Sequence, residues 1–420
     1  MMAGRKTTWL LLAILLVTQA SRAESLYETL GATFSARTSA WGEDKRFTAD
    51  EGTSVTSAWL TLRPKEVAGL RFSLEGYGMA ENATRKARFF GDLREGFVET
   101  SLGAFDIRAG RQVLVWGRAD KLNPTDSLSV KDYRLLTTDD EEQRLGLTTL
   151  SAAWNLNEGS RLVLVWQPEW RAPGLPIPPL GPGITLNNQQ PSGALRQWAL
   201  KYDRSASGFD FSLSYFNGIS RTPDLELLSA GPSGVDLGLA FRRVQVIGAD
   251  FASTLEGWGL RGETAYTMTQ DPSGSNPLIQ NAGIFTVLGA ERSLTEGLSI
   301  SAQYLNRWVD DFSDITQGAD PTTRPLLISQ TINTQQQVRM NHGFSLRPAL
   351  KLLNETLEME CAWVGWLTTG GQLLRPKITY AITDHFKAIT GAEIYSGPTD
   401  SFFGRLRDVS SAFAEIRATF

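Results

Sequence analysis

One stretch of this 420-residue chain concentrates side chains that could act on charged solutes. Residues 110–126 read GRQVLVWGRADKLNPTD, and the acidic run DDEEQR follows at residues 139–144. Carboxylate and guanidinium groups at this density can form charged walls or rings, which sort ions by sign and size. The 27 residues 117–143 are predicted to form one loop between two strands, and loops of that length are usually functional or disordered.

Two interpretations of this loop are open from the sequence. It could fold into a pore and form a constriction, or it could be a solvated outer loop whose charges serve only solubility. The side chains expected to line a constriction are Arg118, Asp120, Asp126, Asp132, Asp139, Asp140, Glu141 and Glu142.

A second unusual loop, at residues 168–193, contains seven prolines. Because proline has no backbone N–H to donate, this loop is not expected to form a strand. A proline-rich segment is stiff and extended. We interpret it as a rigid outer loop, with a gating lid as the less favoured alternative.

Catalytic and metal-binding patterns are weak in this chain. The two histidines, His342 and His385, do not have the neighbours or the spacing of a histidine-dependent hydrolase. Cys361 is the single cysteine, so no intrachain disulfide can form, and no multi-histidine metal spacing or phosphate-binding glycine loop occurs. The net charge is −4 without a basic block, which argues against nucleic-acid binding. We therefore expect no enzyme, no cofactor, no metal site and no nucleic-acid partner.

The elements that carry these residues are predicted to be strands. From about residue 28 onward apolar and polar residues alternate, as at 70–75, 209–215 and 258–266, whereas helical periodicity does not recur. A strand with this pattern has one apolar and one polar face. We count about 18 such segments, at 28–41, 52–63, 68–80, 90–103, 104–116, 144–156, 159–169, 194–204, 208–218, 236–252, 257–268, 282–293, 297–309, 333–350, 355–368, 372–383, 385–396 and 408–420.

Segment length and loop length together favour an outer-membrane barrel over a soluble sandwich. Most segments have at least 10 residues, enough for a tilted strand to cross the hydrocarbon layer, whereas globular strands average about 5–6. Short and long connections alternate, as expected where short turns face the periplasm and long loops face outward. The fold prediction is an all-β, transmembrane antiparallel β-barrel of about 18 strands, with 16 also possible and both termini in the periplasm.

The first residues predict the compartment. Residues 1–23 combine the basic pair Arg5 and Lys6, an apolar run at 9–17 and small residues at positions 21 and 23, which is the order of a secretory signal peptide. Its removal would take the net charge from −4 to −7 and leave residues 24–420. We expect these to form a single barrel domain in the outer membrane of a Gram-negative bacterium.

The barrel prediction assigns each strand position to lipid or to water. Trp41, Trp116, Trp166 and Trp308 fall near the outer strand ends, where they would form an interfacial girdle. The charges of the lumen wall could serve polar solutes, or they could pair across strands and stiffen the wall. The candidates for this wall are Arg71, Glu75, Glu95, Glu99, Asp106, Arg108, Arg261, Glu263, Glu358, Glu360, Arg375, Lys377, Glu393, Glu415 and Arg417.

Two features resemble known bacterial barrels. The chain ends in an alternating strand closed by Phe420, which resembles the assembly signal of bacterial outer-membrane barrels. Within residues 110–126, Gly-Arg-Gln, then Trp-Gly, then Asn-Pro-Thr-Asp resembles a set of porin-like Gram-negative outer-membrane channels. The size and strand count are more distantly similar to 18-stranded alginate export barrels. The resemblance implies a transport barrel without naming its substrate.

The predicted function is passive diffusion of hydrophilic solutes through a water-filled lumen constricted by inserted loops. The alternative is export of a secreted exopolysaccharide together with periplasmic partners. The other partners expected are outer-membrane lipid, the barrel-assembly machinery, and small hydrophilic solutes or a polysaccharide.

Overall fold

The structure, a computed structural model, describes residues 30–47, 52–82, 87–189, 191, 196–232, 234–321 and 323–420. The predicted signal peptide at 1–23 lies outside the described residues. Eighteen strands form one closed antiparallel sheet, which confirms the predicted fold class and strand count. These strands are β1 (Ala32–Trp41), β2 (Thr53–Leu62), β3 (Leu70–Glu81), β4 (Arg88–Leu102), β5 (Phe105–Gln112), β6 (Leu147–Asn157), β7 (Ser160–Gln167), β8 (Gln197–Ala206), β9 (Phe209–Ile219), β10 (Arg243–Leu255), β11 (Trp258–Met268), β12 (Gly283–Ser293), β13 (Leu298–Val309), β14 (Met340–Leu352), β15 (Leu357–Trp366), β16 (Gln372–Ala381), β17 (Phe386–Ser396) and β18 (Ser411–Thr419).

The alternation of the sequence decides which side chains face outward. In β10, Val244 and Val246 are buried on the inner face, whereas Ile247 is 52% exposed on the outer face. Leu213 of β9 is also exposed, at 55%, in the same outward position. An outer face of exposed apolar side chains is unfavourable in water and favourable in a bilayer, which is the environment that the sequence predicts.

Tight turns join alternate pairs of strands at one rim, which we call the short-turn rim. Between β10 and β11, Glu256 and Gly257 have φ values of 50° and 81°, and positive φ at both central residues is typical of a type I′ hairpin turn. The start of β1 and the end of β18 lie at this rim, where Ser35 pairs with Thr419. The opposite rim carries the longer connections, and we call it the long-loop rim.

Several predicted strands are wrong in their boundaries, and the first of these is the segment at 236–252. The segment at 236–252 is not a single strand, because Gly234–Ala240 pairs with Asp224–Gly231 outside the barrel sheet and β10 begins only at Arg243. Both parts alternate with the same period, but the apolar positions shift from Leu237 and Leu239 to Val244 and Val246 across Arg242-Arg243. The phase of the pattern therefore marks the break, although its period does not.

The proline-rich loop also differs from the prediction. Residues Ile184–Asn188 form a short strand parallel to part of Gly234–Ala240. The strand begins just after Pro182, so the crowded prolines themselves stay outside it. The prediction that this loop forms no strand is confirmed for residues 168–182 and wrong for residues 184–188.

A helix interrupts the loop between β13 and β14, where no helical pattern was expected. Helix α1 (Arg324–Thr334) has Pro325 in its first turn, where the missing N–H is not needed. The strand expected from residue 333 therefore begins at Met340. Within the described residues, no helix is both long enough and apolar enough to span a bilayer.

The proposed tryptophan girdle is half correct. Trp166 and Trp308 are exposed on the outer face, at 46% and 37%. Trp41 and Trp116 are buried inside the barrel, at 3% and 8% exposure. Closeness to a strand end therefore did not determine the direction in which a tryptophan points.

Phe420 closes the barrel against β1. Its backbone exchanges two hydrogen bonds of 2.8 Å with Phe34. Its ring stacks on His385 at 5.4 Å and meets Phe386 edge-on at 6.2 Å.

We expect Phe420→Ala to lower the yield of folded barrel severalfold, because it removes the ring contacts at the closing strand together with the predicted assembly signal. The yield is measured as the fraction of membrane-extracted protein that migrates in the folded form on an unheated SDS gel. Phe402→Ala, which removes a ring from a connection at the opposite rim, is the control and should leave the yield unchanged. Equal yields for the two variants would contradict the role of Phe420.

Candidate functional site

The residues that join β5 to β6 lie inside the barrel. We call residues 113–146 the inner segment. It contacts the inner face of β11 through Ala119, of β14 through Asp120 and of β1 through Glu142. Because these strands lie on different sides of the closed sheet, a segment that reaches all of them must cross the lumen.

The inner segment has two lobes that pack on opposite walls. The near lobe, 113–129, buries Trp116 and Leu128 against apolar side chains of β6 to β11. The far lobe, 132–143, buries Leu135 among side chains of β1 to β3, β17 and β18. Burial of large apolar side chains on both walls stabilises the segment by about 1.5–3 kcal/mol for each.

A single buried carboxylate anchors the near lobe. Glu263 on β11 is only 2% exposed. It accepts hydrogen bonds from the backbone N–H groups of Arg118, Ala119 and Thr125 at 3.1, 3.0 and 2.7 Å. The hydroxyl of Thr125 and the amide of Asn123 donate two more, at 2.8 and 3.3 Å. A buried carboxylate is costly unless it is hydrogen-bonded, and five donors meet that requirement here.

The close approach of the chain to this carboxylate requires glycine. Gly117 has a φ of 99°, and a Cβ atom there would lie 2.5 Å from both carboxylate oxygens of Glu263. A side chain at this position would push the lobe away from its anchor. The Trp-Gly pair of the sequence motif therefore has a physical reason in the near lobe.

Ion pairs hold the same lobe to two further walls. The guanidinium of Arg118 lies 3.0 Å from Asp250 on β10. On the other side, Arg347 of β14 donates to Asp120 at 2.8 Å and to Glu360 of β15 at 3.0 Å. The near lobe is thus tied to β10, β11 and β14 by charged groups.

The far lobe is held by arginines of the opposite wall. Glu142 accepts from Arg37 of β1 at 2.6 Å, and Asp140 pairs with Arg375 of β16. The two lobes meet where Lys121 lies 4.0 Å from Asp140. This contact joins the near and far lobes within the lumen.

A β-bulge aims one more arginine at the segment. The register between β3 and β4 shifts after Glu75, which leaves Arg94 as the extra residue of β4. Arg94 pairs with Glu75 and donates to the carbonyl oxygens of Arg144 and Glu141 at 3.0 and 2.7 Å. Bulges re-aim side chains in this way, and this one lets β4 bind the end of the inner segment.

The other predicted constriction residues bind within the segment. Asp126 and Glu141 each lie 2.7 Å from Arg144. Asp132 pairs at 3.1 Å with the arginine two residues further on. Asp139 is exposed and accepts a hydrogen bond from the backbone N–H of Glu141 at 3.1 Å. The eight predicted residues therefore share one segment, but only some of them reach the wall.

The predicted wall residues divide into two groups. Glu263, Glu360 and Arg375 lie in the network that binds the inner segment, and Lys377 lies 3.8 Å from Glu360. The second group pairs across strands, as the stiffening interpretation expects: Arg71 and Arg108 with Glu99, and Arg261 with Glu291. The remaining candidates have these neighbours: Glu75 with Arg94, Glu95 with Ser73, Asp106 with Ser101 and Asn155, Glu358 opposite Lys351 and Thr379, Glu393 with Lys45, and Glu415 with Arg417.

Sequence reasoning missed several wall residues that bind the segment. Arg347 and Arg37 lie on the polar parity of their strands, so the alternation could have found them. Asp250 shares its face of β10 with Val244 and Val246, so the alternation gives no signal for it. Arg94 was hidden, because the bulge breaks the alternation at that point. Among the described residues, no group of three or more His, Cys, Asp or Glu side chains is placed to hold a metal ion.

Solved structures share this fold. Pseudomonas aeruginosa OccK5 (OpdH) matches with a TM-score of 0.55 and 11% identity, over 93% of this chain and 97% of that one. Acinetobacter baumannii OccAB4 matches at 0.54 and 10%, over 93% and 97%, and Acinetobacter baumannii OccAB1 at 0.53 and 11%, over 93% and 95%. At this identity the likeness shows the fold, and it confirms the porin-like resemblance.

No curated protein sequence matches this chain. A family model described as "Protein of unknown function (DUF1302)" matches residues 34–310. The match extends from β1 to the end of β13 and includes the whole inner segment. Because it covers well over half of the chain, the protein belongs to the DUF1302 family.

Proposed function

We propose that this protein is an outer-membrane channel through which hydrophilic solutes diffuse, with the inner segment as its constriction. The observation that carries the proposal is the inner segment itself, bound across the lumen of an 18-stranded barrel. Barrels of 16–18 strands leave an aqueous channel unless something fills it. In this barrel the inner segment, in which most acidic side chains are paired, occupies part of the lumen.

A cavity at the short-turn rim supports access of solutes to the inner segment from that side. A cavity of about 390 Å³ lies there, and its lining includes Glu291, Ser301 and Arg347. Arg347 also binds Asp120 of the near lobe, so the cavity ends at the segment. A polar, open vestibule that leads to a charged constriction suits small hydrophilic solutes.

The rims have the arrangement expected of outer-membrane barrels, with short turns facing the periplasm and long loops facing outward. We therefore assign the short-turn rim to the periplasm of a Gram-negative cell. Both chain ends would then lie in the periplasm. Lipid would surround the outer face, and the assembly machinery would meet the strand that ends at Phe420.

Export of an exopolysaccharide receives no support. A polymer needs a continuous open lumen, whereas Glu263, Arg347, Arg375 and Arg37 tie the inner segment to several walls. Release of the segment would break several partly buried ion pairs at once, together with the five hydrogen bonds that Glu263 accepts.

Deletion of residues 120–140 should raise the single-channel conductance severalfold, because it removes the element that crosses the lumen. Planar-bilayer recordings of purified protein measure this conductance. Unchanged conductance and ion selectivity would contradict the constriction, while the absence of any current from the unmodified protein would contradict the channel itself.

Glu263→Gln should loosen the near lobe, because a neutral amide cannot accept all five hydrogen bonds. The free energy of unfolding should fall by about 1–3 kcal/mol, and the open-channel current should become noisier. Denaturant titration and bilayer recordings measure the two effects. Glu291→Gln is the matched control, since its partner Arg261 is 37% exposed and such pairs contribute about 0–1 kcal/mol. Equal effects from both variants would show that Glu263 does not anchor the near lobe.

A further inference from the structure

We propose that helix α1 is a lid over the opening of the lumen at the long-loop rim, that Asp224 holds it closed, and that it moves aside when a solute passes. The inference rests on the proposed function, because a lid has a role only if solutes cross the lumen. It also gives a role to the proline-rich loop at 168–193, which the constriction leaves unexplained.

Connections from nearly opposite sides of the barrel meet at α1, which itself lies between β13 and β14. The side-chain amide of Gln330 in α1 donates at 2.9 Å to Asp224, in the connection between β9 and β10. The hydroxyl of Ser329 in α1 accepts at 2.9 Å from Arg405, in the connection between β17 and β18. A helix of 11 residues is only about 16 Å long, so these connections converge on a small region.

The loops on either side of α1 fold inward over the lumen. In the proline-rich loop, the backbone N–H of Gly174 donates to Lys131 at 3.0 Å, and its carbonyl accepts from Tyr133 at 2.8 Å. On the other side, Phe403 packs against the apolar cluster that contains Ala119 of the near lobe. Because the inner segment lies inside the barrel, loops that bind it lie over the lumen and not beside the rim.

Helix α1 packs directly on the proline-rich loop. Its Leu326 lies against an apolar cluster that contains Trp170 of this loop and Leu225 of the connection between β9 and β10. Ala172 and Ile177, also of the proline-rich loop, pack against the same cluster. Proline-rich segments are stiff, so this loop supports the helix at a fixed position above the inner segment.

Asp224 joins three connections at one carboxylate. It is 4% exposed, and besides Gln330 it accepts from the backbone N–H of Gln280 at 3.0 Å and from Arg242 at 3.1 Å. The backbone N–H of Leu225 donates in turn to the side chain of Gln330 at 2.7 Å. A buried carboxylate needs such donors. The closed position of α1 therefore satisfies Asp224, and Asp224 in turn holds α1.

The contacts of α1 suit a helix that can be released. Four of its five buried side chains are polar, and Ile332 is the apolar one. A helix of this length is marginal by itself, and polar contacts exchange for water at a small net cost. Segments that move to admit ligands belong to such weakly held parts of a fold.

The first test locks α1 in its closed position. In a Cys361→Ala background, the pair Ser329→Cys and Arg405→Cys is joined by a cleavable thiol cross-linker. Potassium chloride current through the full-length protein is then recorded in planar bilayers. Cross-linking should lower the current severalfold and a reductant should restore it, because the locked helix cannot leave the opening.

The matched control for this test joins strands that do not include α1. Thr185 and Ser229 lie on the two strands that flank Asp236 in the three-stranded sheet outside the barrel. Cross-linking of Thr185→Cys to Ser229→Cys in the same background should leave the current unchanged. Equal loss of current in the two pairs would contradict a specific role for α1.

The second test weakens the contact that holds the lid. Asp224→Ala removes the acceptor for Gln330, Gln280 and Arg242, so amide hydrogen exchange of residues 324–334 should quicken about tenfold to hundredfold, since hydrogen bonds to charged groups are worth that much. Mass spectrometry of the full-length protein in lipid nanodiscs measures this exchange, which reports local opening. The current through Asp224→Ala should also rise.

Asp236→Ala is the matched control for the second test. Asp236 belongs to the same three-stranded sheet as Asp224, and it accepts hydrogen bonds within that sheet, from Ser229 at 2.6 Å and from Thr185. Its removal should leave the exchange of α1 unchanged. Migration on an unheated SDS gel shows whether each variant still forms the barrel.

The outcomes separate the lid from the channel. Current that persists unchanged after α1 is locked, or faster exchange in Asp224→Ala without more current, overturns the lid and leaves the channel intact. Equal exchange in Asp224→Ala and Asp236→Ala overturns the role of Asp224. No current from either the unmodified protein or Asp224→Ala overturns the channel itself.

Discussion

The structure inside this barrel depends on one carboxylate that cannot remain unpaired. Glu263 lies in the middle of β11 and has lost almost all contact with water. Free, it would be a costly buried charge. Three backbone N–H groups of residues 118–125 satisfy it, and they can do so only if the loop enters the lumen. The energetic requirement of one wall residue therefore determines where a connection of 34 residues, 113–146, lies.

The same requirement explains the ion pairs around the inner segment. Each acid that the segment brings to the wall meets an arginine there, as Asp120 meets Arg347 and Glu142 meets Arg37. The inner segment contains seven acidic and five basic residues. Because most of the acids are paired, their negative charge is largely neutralised. The charge that a solute would encounter is then set by the few groups that remain unpaired, and a count of charges along the sequence does not reveal which these are.

Much of the fold could be predicted from the sequence, because a barrel repeats one local rule. Alternation along each strand, together with loop lengths, is enough for the strand count and for the shared rim of the termini. The predictions were wrong where alternation does not determine the structure. A strand outside the barrel, Gly234–Ala240, has the same alternation as β10. Trp41 ends β1 but points inward, in one cluster with Leu135 of the inner segment, and Trp116 belongs to the inner segment itself.

The candidate site was predictable in its chain position and not in its contacts. The loop could be chosen by length and charge alone, yet the bond between Glu263 and Ala119 joins residues 144 positions apart. No periodic pattern in the sequence indicates a contact between residues so far apart. At Arg94 the bulge also interrupts the alternation, so the pattern does not show which face of β4 this side chain occupies. The near lobe and its anchors Glu263 and Asp250 lie within the matched residues 34–310, whereas Arg347 and Arg375 lie beyond them. The matched part of the chain thus contains the inner segment, its main anchor and the contacts from Arg37 and Arg94, while the contacts from Arg347 and Arg375 come from the last five strands.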